Sequence, residues 1–394
     1  MEVNEILLGL LGRALFASNF TFDPKTAPWE TLMKEAQAQT VELLVFDALT
    51  GSERAWMPKE IAESWQFSAL RRYGRNEQLR HEQEQILQAL SKAEIPALVL
   101  KGFACAENYP NPILRCAGDI DLLVGKEGVE RAKAVLEEMD YIASEEPHPF
   151  HVHMRKNQYV AELHHEPAGI PMDGIGAELR AFFAGSEKAP EQRNGIPVLP
   201  REKEVVMLLL HKLEHIVSSG LGLRQLCDWA AFVNQEMTEE FWQESEPVLQ
   251  EFGLLHFAKV ITRICVDALA LPREKAEWCM DADGDLARRL LSDMLRTGNF
   301  GSKENRYGQR LFTDANSGNR LSSFIKVGTQ ACKDHWPVCE KYPILLPAAP
   351  FYLLHRYHKQ RKAGERPAFR PHAVYKSAKD RQALYAELKP FVQE

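Results

Sequence analysis

Two aspartates, Asp119 and Asp121, stand at the head of the apolar run Ile120-Asp121-Leu122-Leu123-Val124, and they are the residues best placed to do chemistry. A carboxylate taken out of water costs several kcal/mol unless it is paired. Strand alternation would put both acids on one face and Ile120 on the other. Like charges held that close repel, and a divalent cation between them would relieve the repulsion. Mg²⁺ suits such a place, because it takes hard oxygen ligands and commonly links carboxylates to substrate phosphates. Mn²⁺ is its natural substitute. The pattern predicts a metal-dependent phosphoryl or nucleotidyl transfer site.

The surrounding residues agree with a phosphate ligand. Ala97-Leu98-Val99-Leu100 reads as a short buried strand that runs into Lys101-Gly102 and then opens a helix. Backbone N–H groups at such a junction favour an anion. Gly102 would let an oxygen approach the backbone closely, and Lys101 would neutralise phosphate charge. Arg115, four residues before Asp119, would reach the same anion with its fork. A third carboxylate is available on the strand Tyr159–His164, where Glu162 would complete the metal site or take a proton; Glu166 is its rival.

These residues need elements to hold them. The first 92 residues read as mainly helical, with Ile6-Leu7-Leu8, Leu10-Leu11 and Leu15 at helical spacing and the pattern resuming over Thr31–Leu49. A long polar helix follows over 61–92. From 93 to 185 the order helix, strand, helix, strand, helix, strands describes a compact α/β or α+β unit. Helices return from Arg201, at 204–217, 223–236, 240–252, 254–269 and 276–295. The stretch 298–318 reads as a linker. The last 65 residues read as irregular and proline-rich, with a basic run between Arg356 and Arg381 that would contact an acidic partner. The expected organisation is an N-terminal helical region (1–92), a core (93–185), a helical domain (186–297), and a linker with a basic C-terminal region (298–394).

Val99-Leu100-Lys101-Gly102, Tyr109-Pro110, Leu114-Arg115 and Gly118-Asp119-Ile120-Asp121-Leu122-Leu123-Val124-Gly125 together resemble uncharacterised bacterial nucleotidyltransferases related to DNA polymerase β. Later matches are Glu162-Leu163-His164, then His211 and His215, then Leu223-Arg224 with Asp228. The resemblance covers roughly residues 40 to 290. It implies an α+β fold, with a small mixed-sheet nucleotidyltransferase core flanked by helical regions. It also implies catalysis by Asp119, Asp121 and Glu162, which would hold Mg²⁺. Lys101, Gly102, Arg115, His164 and Arg224 would contact a nucleoside triphosphate. The reaction implied is attack at the α-phosphate with release of pyrophosphate, to an unidentified acceptor: a small molecule, a peptide or protein, or RNA. The chain departs from the broader pattern at Gly102-Phe103, where a serine or second glycine is usual, and at Glu162, where aspartate is usual. A nucleotide-binding protein without catalysis is the alternative those departures raise.

Other signals narrow the field. Glycine fingerprints of P-loop kinases and dinucleotide-binding dehydrogenases are absent. His211 and His215 share a helix face, but no glutamate follows His211 as in a zinc protease, so packing or hydrogen bonding is their expected role. The net charge of −7 disfavours wholesale nucleic-acid binding. Seven scattered cysteines with no Cys-x-x-Cys pair point to reduced thiols. The acidic start and the lack of a long apolar run predict a cytoplasmic protein with no membrane span.

Overall fold

The computed structural model describes residues 1–299 apart from 145–147, 149, 173 and 219, together with 355 and 371–393. The chain opens with α1 (Val3–Phe16), α2 (Trp29–Ala38), α3 (Glu42–Ala48), α4 (Gly51–Arg54) and α5 (Lys59–Lys92). The helical pattern over 31–49 is split between α2 and α3. Thr40 takes a φ of 57° there, in the left-handed region that a helix interior does not accept.

At 34 residues, α5 is the longest described helix, about 51 Å at the usual rise. Its buried residues belong to two different cores. Trp65 and Ala69 lie in a large cluster built mostly from helices. Leu79, Ile86 and Leu90 lie in a second cluster against the sheet. Between these sets sits Asn76, only 1% exposed. Its side chain donates to the carbonyls of Ile113 (2.7 Å) and Arg115 (3.0 Å) and accepts from the Ala117 N–H (3.2 Å).

The middle of the chain supplies β1 (Leu98–Val99), α6 (Phe103–Ala106), β2 (Ile120–Leu123), α7 (Gly125–Glu138), β3 (Ile142–Ala143), β4 (His151–Lys156), β5 (Tyr159–His164), α8 (Gly176–Phe183), β6 (Glu191–Arg193) and β7 (Ile196–Val198). They form one mixed sheet in the order β3-β4-β5-β2-β1-β7-β6. β2 runs parallel to β5 and antiparallel to β1, while β7 runs parallel to β1. The sheet thus reaches past residue 185 to Val198. The β6–β7 hairpin turns on Asn194-Gly195, with φ of 49° and 83°, the residue pair such a two-residue turn prefers.

Strand alternation sorts the side chains by face. Val99, Ile120, Leu122 and Leu163 join the cluster under α5 and α7. Leu98, Leu100 and Leu123 point to the opposite side and join the helical core. That helical core continues into α9 (Arg201–Ser218), α10 (Leu223–Glu236), α11 (Glu239–Glu251), α12 (Leu255–Leu269) and α13 (Gly284–Thr297). From Leu223 to Val233 every residue of α10 is buried.

Two sequence expectations change here. The helix expected over 276–295 is a 3-10 turn at Glu277–Cys279 followed by α13. Asp283 divides them by capping α13, accepting from the N–H groups of Asp285 (2.7 Å) and Leu286 (3.2 Å). The C-terminal part expected to be irregular contains α14 (Pro371–Glu387). Pro371 suits a first helical position, Leu384 and Leu388 bury against the helical core, and Arg381 bonds Asp293 (3.1 Å) while 1% exposed. The expected linker from 300 to 318 and the basic positions from 356 to 370 lie outside the described residues.

Candidate active site

Three strands deliver their polar side chains to the same face of the sheet. In the parallel β2–β5 pair Asp121 is the register partner of Glu162, and Leu123 of His164. In the antiparallel β4–β5 pair His153 faces Glu162 and His151 faces His164. With Asp119 two residues before Asp121, this face carries three acids and three imidazoles. Alternation sends the apolar residues between them, Ile120, Leu122, Leu163 and Val152, into the core behind.

Asp119, Asp121 and Glu162 each offer a carboxylate oxygen within 4.8 Å of the others. Lys101 Nζ lies 2.9 Å from Asp121 Oδ1, and His164 Nε2 donates to the same oxygen at 3.2 Å. The expected positions of these five residues therefore converge. Glu166 is elsewhere, accepting from Arg180 Nε at 3.1 Å.

The charge balance is uneven. Burial alone would raise the Asp121 carboxyl, but Lys101 and His164 outweigh it and hold Asp121 well below the usual carboxylate range. Asp119 goes the other way: burial and then the Asp121 charge raise it, against the pull of Lys101. Burial also raises Glu162, with Asp121 and Asp119 adding to it. Burial would lower Lys101, yet Asp121, Asp119 and Glu162 keep its ammonium above the ordinary value. Three carboxylates thus share Lys101 and the His164 ring as close partners. Hard oxygens, unrelieved repulsion and close spacing fit a divalent cation of the Mg²⁺ kind.

Gly102 has φ 62° and ψ −115° at the start of α6, a backbone conformation reserved for glycine. An added Cβ would have room, with Asp119 O the nearest atom at 3.5 Å, so conformation rather than space requires the glycine. α6 is a single turn of four residues, so the dipole at its start is smaller than a full helix would supply.

Arg115 and Arg224 close the opposite wall. Arg115 is 5% exposed and grips Asp228 of α10 through Nε to Oδ1 (2.9 Å) and Nη2 to Oδ2 (2.8 Å). Tyr109 adds its hydroxyl to Asp228 Oδ1 at 2.7 Å. The fork of Arg115 is thereby committed within the protein. Arg224 donates from Nη1 to the Cys116 carbonyl at 3.0 Å. Helix α9 contributes His211 and His215, whose Nε2 atoms are 3.1 Å apart.

These groups line a cavity of about 170 Å³ between the sheet face and helices α9 and α10. That is below the roughly 300–1,000 Å³ of pockets that enclose a whole drug-sized ligand, and it suits the phosphate end of a nucleotide. Cys105 also lines it, but burial and the Asp228 charge push its thiol up to about 12, which rules out a thiolate nucleophile near neutral pH.

Sequence reasoning missed three contributors. His151 carried a signal: His151-Val152-His153 alternates on a strand next to Glu162-Leu163-His164. Asn76 carried none, because an asparagine in a polar helix looks like any exposed one. Lys212 of α9 lines the cavity and is 1% exposed. It bonds the Leu208 carbonyl at 3.1 Å and lies 5.6 Å from the Trp229 ring centroid.

A mixed sheet with acids on neighbouring parallel strands, flanked by helices, is the architecture of a nucleotidyltransferase. A family model described as an uncharacterised nucleotidyltransferase matches residues 25–270, and the chain belongs to that family. Nucleotidyl transfer is the general activity that membership supports. No curated protein and no solved structure matches the chain. Among the described residues no helix is long and apolar enough to cross a membrane.

Proposed function

We propose that the protein is a Mg²⁺-dependent nucleotidyltransferase of the cytoplasm, moving a nucleoside monophosphate from a triphosphate to an acceptor. The observation that carries this is the register of β2 and β5, which sets Glu162 beside Asp121 with Asp119 in reach. Asp119, Asp121 and Glu162 would hold the cation, which when bound would offset triphosphate charge and polarise the α-phosphate. Lys101 would neutralise a phosphate oxygen from the β1 side, and Gly102 would let that loop approach it.

Arg224 and Arg115 would set positive potential on the far wall, Arg115 also fixing α10 through Asp228. His164 would hold Asp121 and Glu162 in place from the β5 side. In the transfer step an acceptor hydroxyl or amine forms a bond to the α-phosphorus. The bond from that phosphorus to the bridging oxygen breaks, and pyrophosphate leaves. Where Glu162 is not the third metal ligand, it would be the base that takes the acceptor proton.

The test uses the full chain with Mg²⁺, cell extract and triphosphate labelled at either the α or the γ position. Acceptor labelled only from the α position, with pyrophosphate released, is the expected result. Label transferred from the γ position would make it a kinase. Tight nucleotide binding without pyrophosphate would leave a binding protein on this fold.

A further inference from the structure

The polar face of the sheet holds more ligand atoms than the three acids account for. His151, Glu162 and His164 also place one donor atom each within 4.8 Å of one another. His164 Nε2 lies 3.3 Å from Glu162 Oε2, and His151 Nε2 lies 3.5 Å from Glu162 Oε1. The imidazoles therefore flank opposite oxygens of one carboxylate. We propose that these three residues form a second cation site, of nitrogen and oxygen character, for a borderline divalent metal such as Zn²⁺.

Three observations carry the proposal. The first is spacing. A four-coordinate zinc with bonds of about 2.0–2.1 Å separates its ligand atoms by ~3.4 Å. Octahedral Mg²⁺ at a similar bond length would need ~2.9 Å. The 3.3 Å between His164 Nε2 and Glu162 Oε2 is nearer the first value, while His151 Nε2 stands 3.5 Å from the other oxygen, Oε1.

The second is the state of the rings. His164 is 1% exposed and the His151 side chain 10% exposed. The Nδ1 of each is buried without a hydrogen-bond partner among the described residues. Each ring turns its other nitrogen, Nε2, toward Glu162. A proton kept on Nδ1 leaves Nε2 as the atom that faces Glu162, and the metal would replace the hydrogen that His164 Nε2 now gives to carboxylate.

The third is the chemistry of the donors. Imidazole prefers zinc, cobalt or iron, whereas Mg²⁺ prefers the oxygens of Asp119 and Asp121. Cross-strand pairing of His151 with His164 holds both rings on rigid sheet, as a preformed site requires. Two histidines and one carboxylate leave a coordination position for water or substrate. This site stands independently of nucleotidyl transfer, although it shares Glu162 with the proposed Mg²⁺ site.

Metal-free full-length protein is titrated with Co²⁺, whose visible absorption reports nitrogen-containing four-coordinate sites. One equivalent should give the band, excess Zn²⁺ should bleach it, and millimolar Mg²⁺ should leave it. Asp119→Asn should retain it. His151→Ala and His151→Gln should each weaken Co²⁺ binding at least tenfold, with unchanged circular dichroism in at least one showing that the fold persists. No band, a band unaffected in a folded His151 variant, a band displaced by Mg²⁺, or equal loss in Asp119→Asn would each overturn the proposal. None of these readouts involves turnover, so a failure here is separable from a failure of the transferase reading.

Discussion

Arg115 meets Asp228 side-on, two nitrogens on two oxygens at 2.9 and 2.8 Å, and so ties the loop before β2 to helix α10. Both residues are buried, and removing one partner leaves the other charged and unsolvated. Asp228→Ala should therefore cost about 3–5 kcal/mol. Burial would raise Asp228, but Arg115 outweighs it and holds the carboxyl below its usual range. A depressed acid stabilises the fold above its unfolded value and loses that contribution as pH falls through its folded value. The stability gap between wild type and Asp228→Asn should be full above about pH 5 and shrink below about pH 4. Thermal midpoints of both proteins across pH 3–7 would show whether it does.

The two aspartates should respond differently to the same substitution. Each of Asp119→Asn and Asp121→Asn is expected to lower transfer by at least about a hundredfold. In metal-free protein Asp119→Asn should match or exceed wild-type stability, because it removes a raised, repelled carboxylate. Asp121→Asn should destabilise, since Lys101 and His164 lose the negative charge they share. Pyrophosphate release and thermal melts on the same preparations separate the two effects; equal melting shifts would contradict the asymmetry.

Lys212 is an internal stability cost. Burial lowers its amine to about 8 from an ordinary 10.5. Between those values the unfolded chain binds more protons, so stability rises with pH across that window. Lys212→Met keeps the stem and removes the charge, and should stabilise by up to about 3 kcal/mol at pH 7. That advantage should fade toward pH 10.5. Chemical denaturation at pH 7 and pH 10 measures both halves of the expectation.

Asn76 holds the approach to the site rather than touching the cavity. Asn76→Ala would strip partners from two carbonyls and one N–H in a buried place, costing about 2–3 kcal/mol. Loosening residues 113–117 should also displace Arg115 and Asp119. A lower kcat in a variant that still melts cooperatively is expected; unchanged kcat would show that the clamp does not position the acids.

The sequence made Asp119 and Asp121 legible because strand alternation and charge repulsion are local arguments. Glu162 was readable for the same reason, once its strand was recognised. Arg115 shows where such reasoning stops: its spacing from Asp119 does not reveal that its fork closes on Asp228, more than a hundred residues away. A partner that distant leaves no mark on local spacing. The β6–β7 hairpin was readable in principle from Asn194-Gly195. Its parallel pairing with β1 was not, since that depends on what fills the sheet's free edge. Likewise α14 has good helix formers, but the burial of Arg381 against Asp293 is a tertiary event.

Helix α5 is rooted at one end among helices and at the other beneath the sheet. Gly74 lies between the roots, and a methyl group there would meet nothing within 4 Å. Alanine would stabilise the helix by about 1 kcal/mol. Gly74→Ala should raise the melting point at no steric cost, and an unchanged or lower midpoint would count against it.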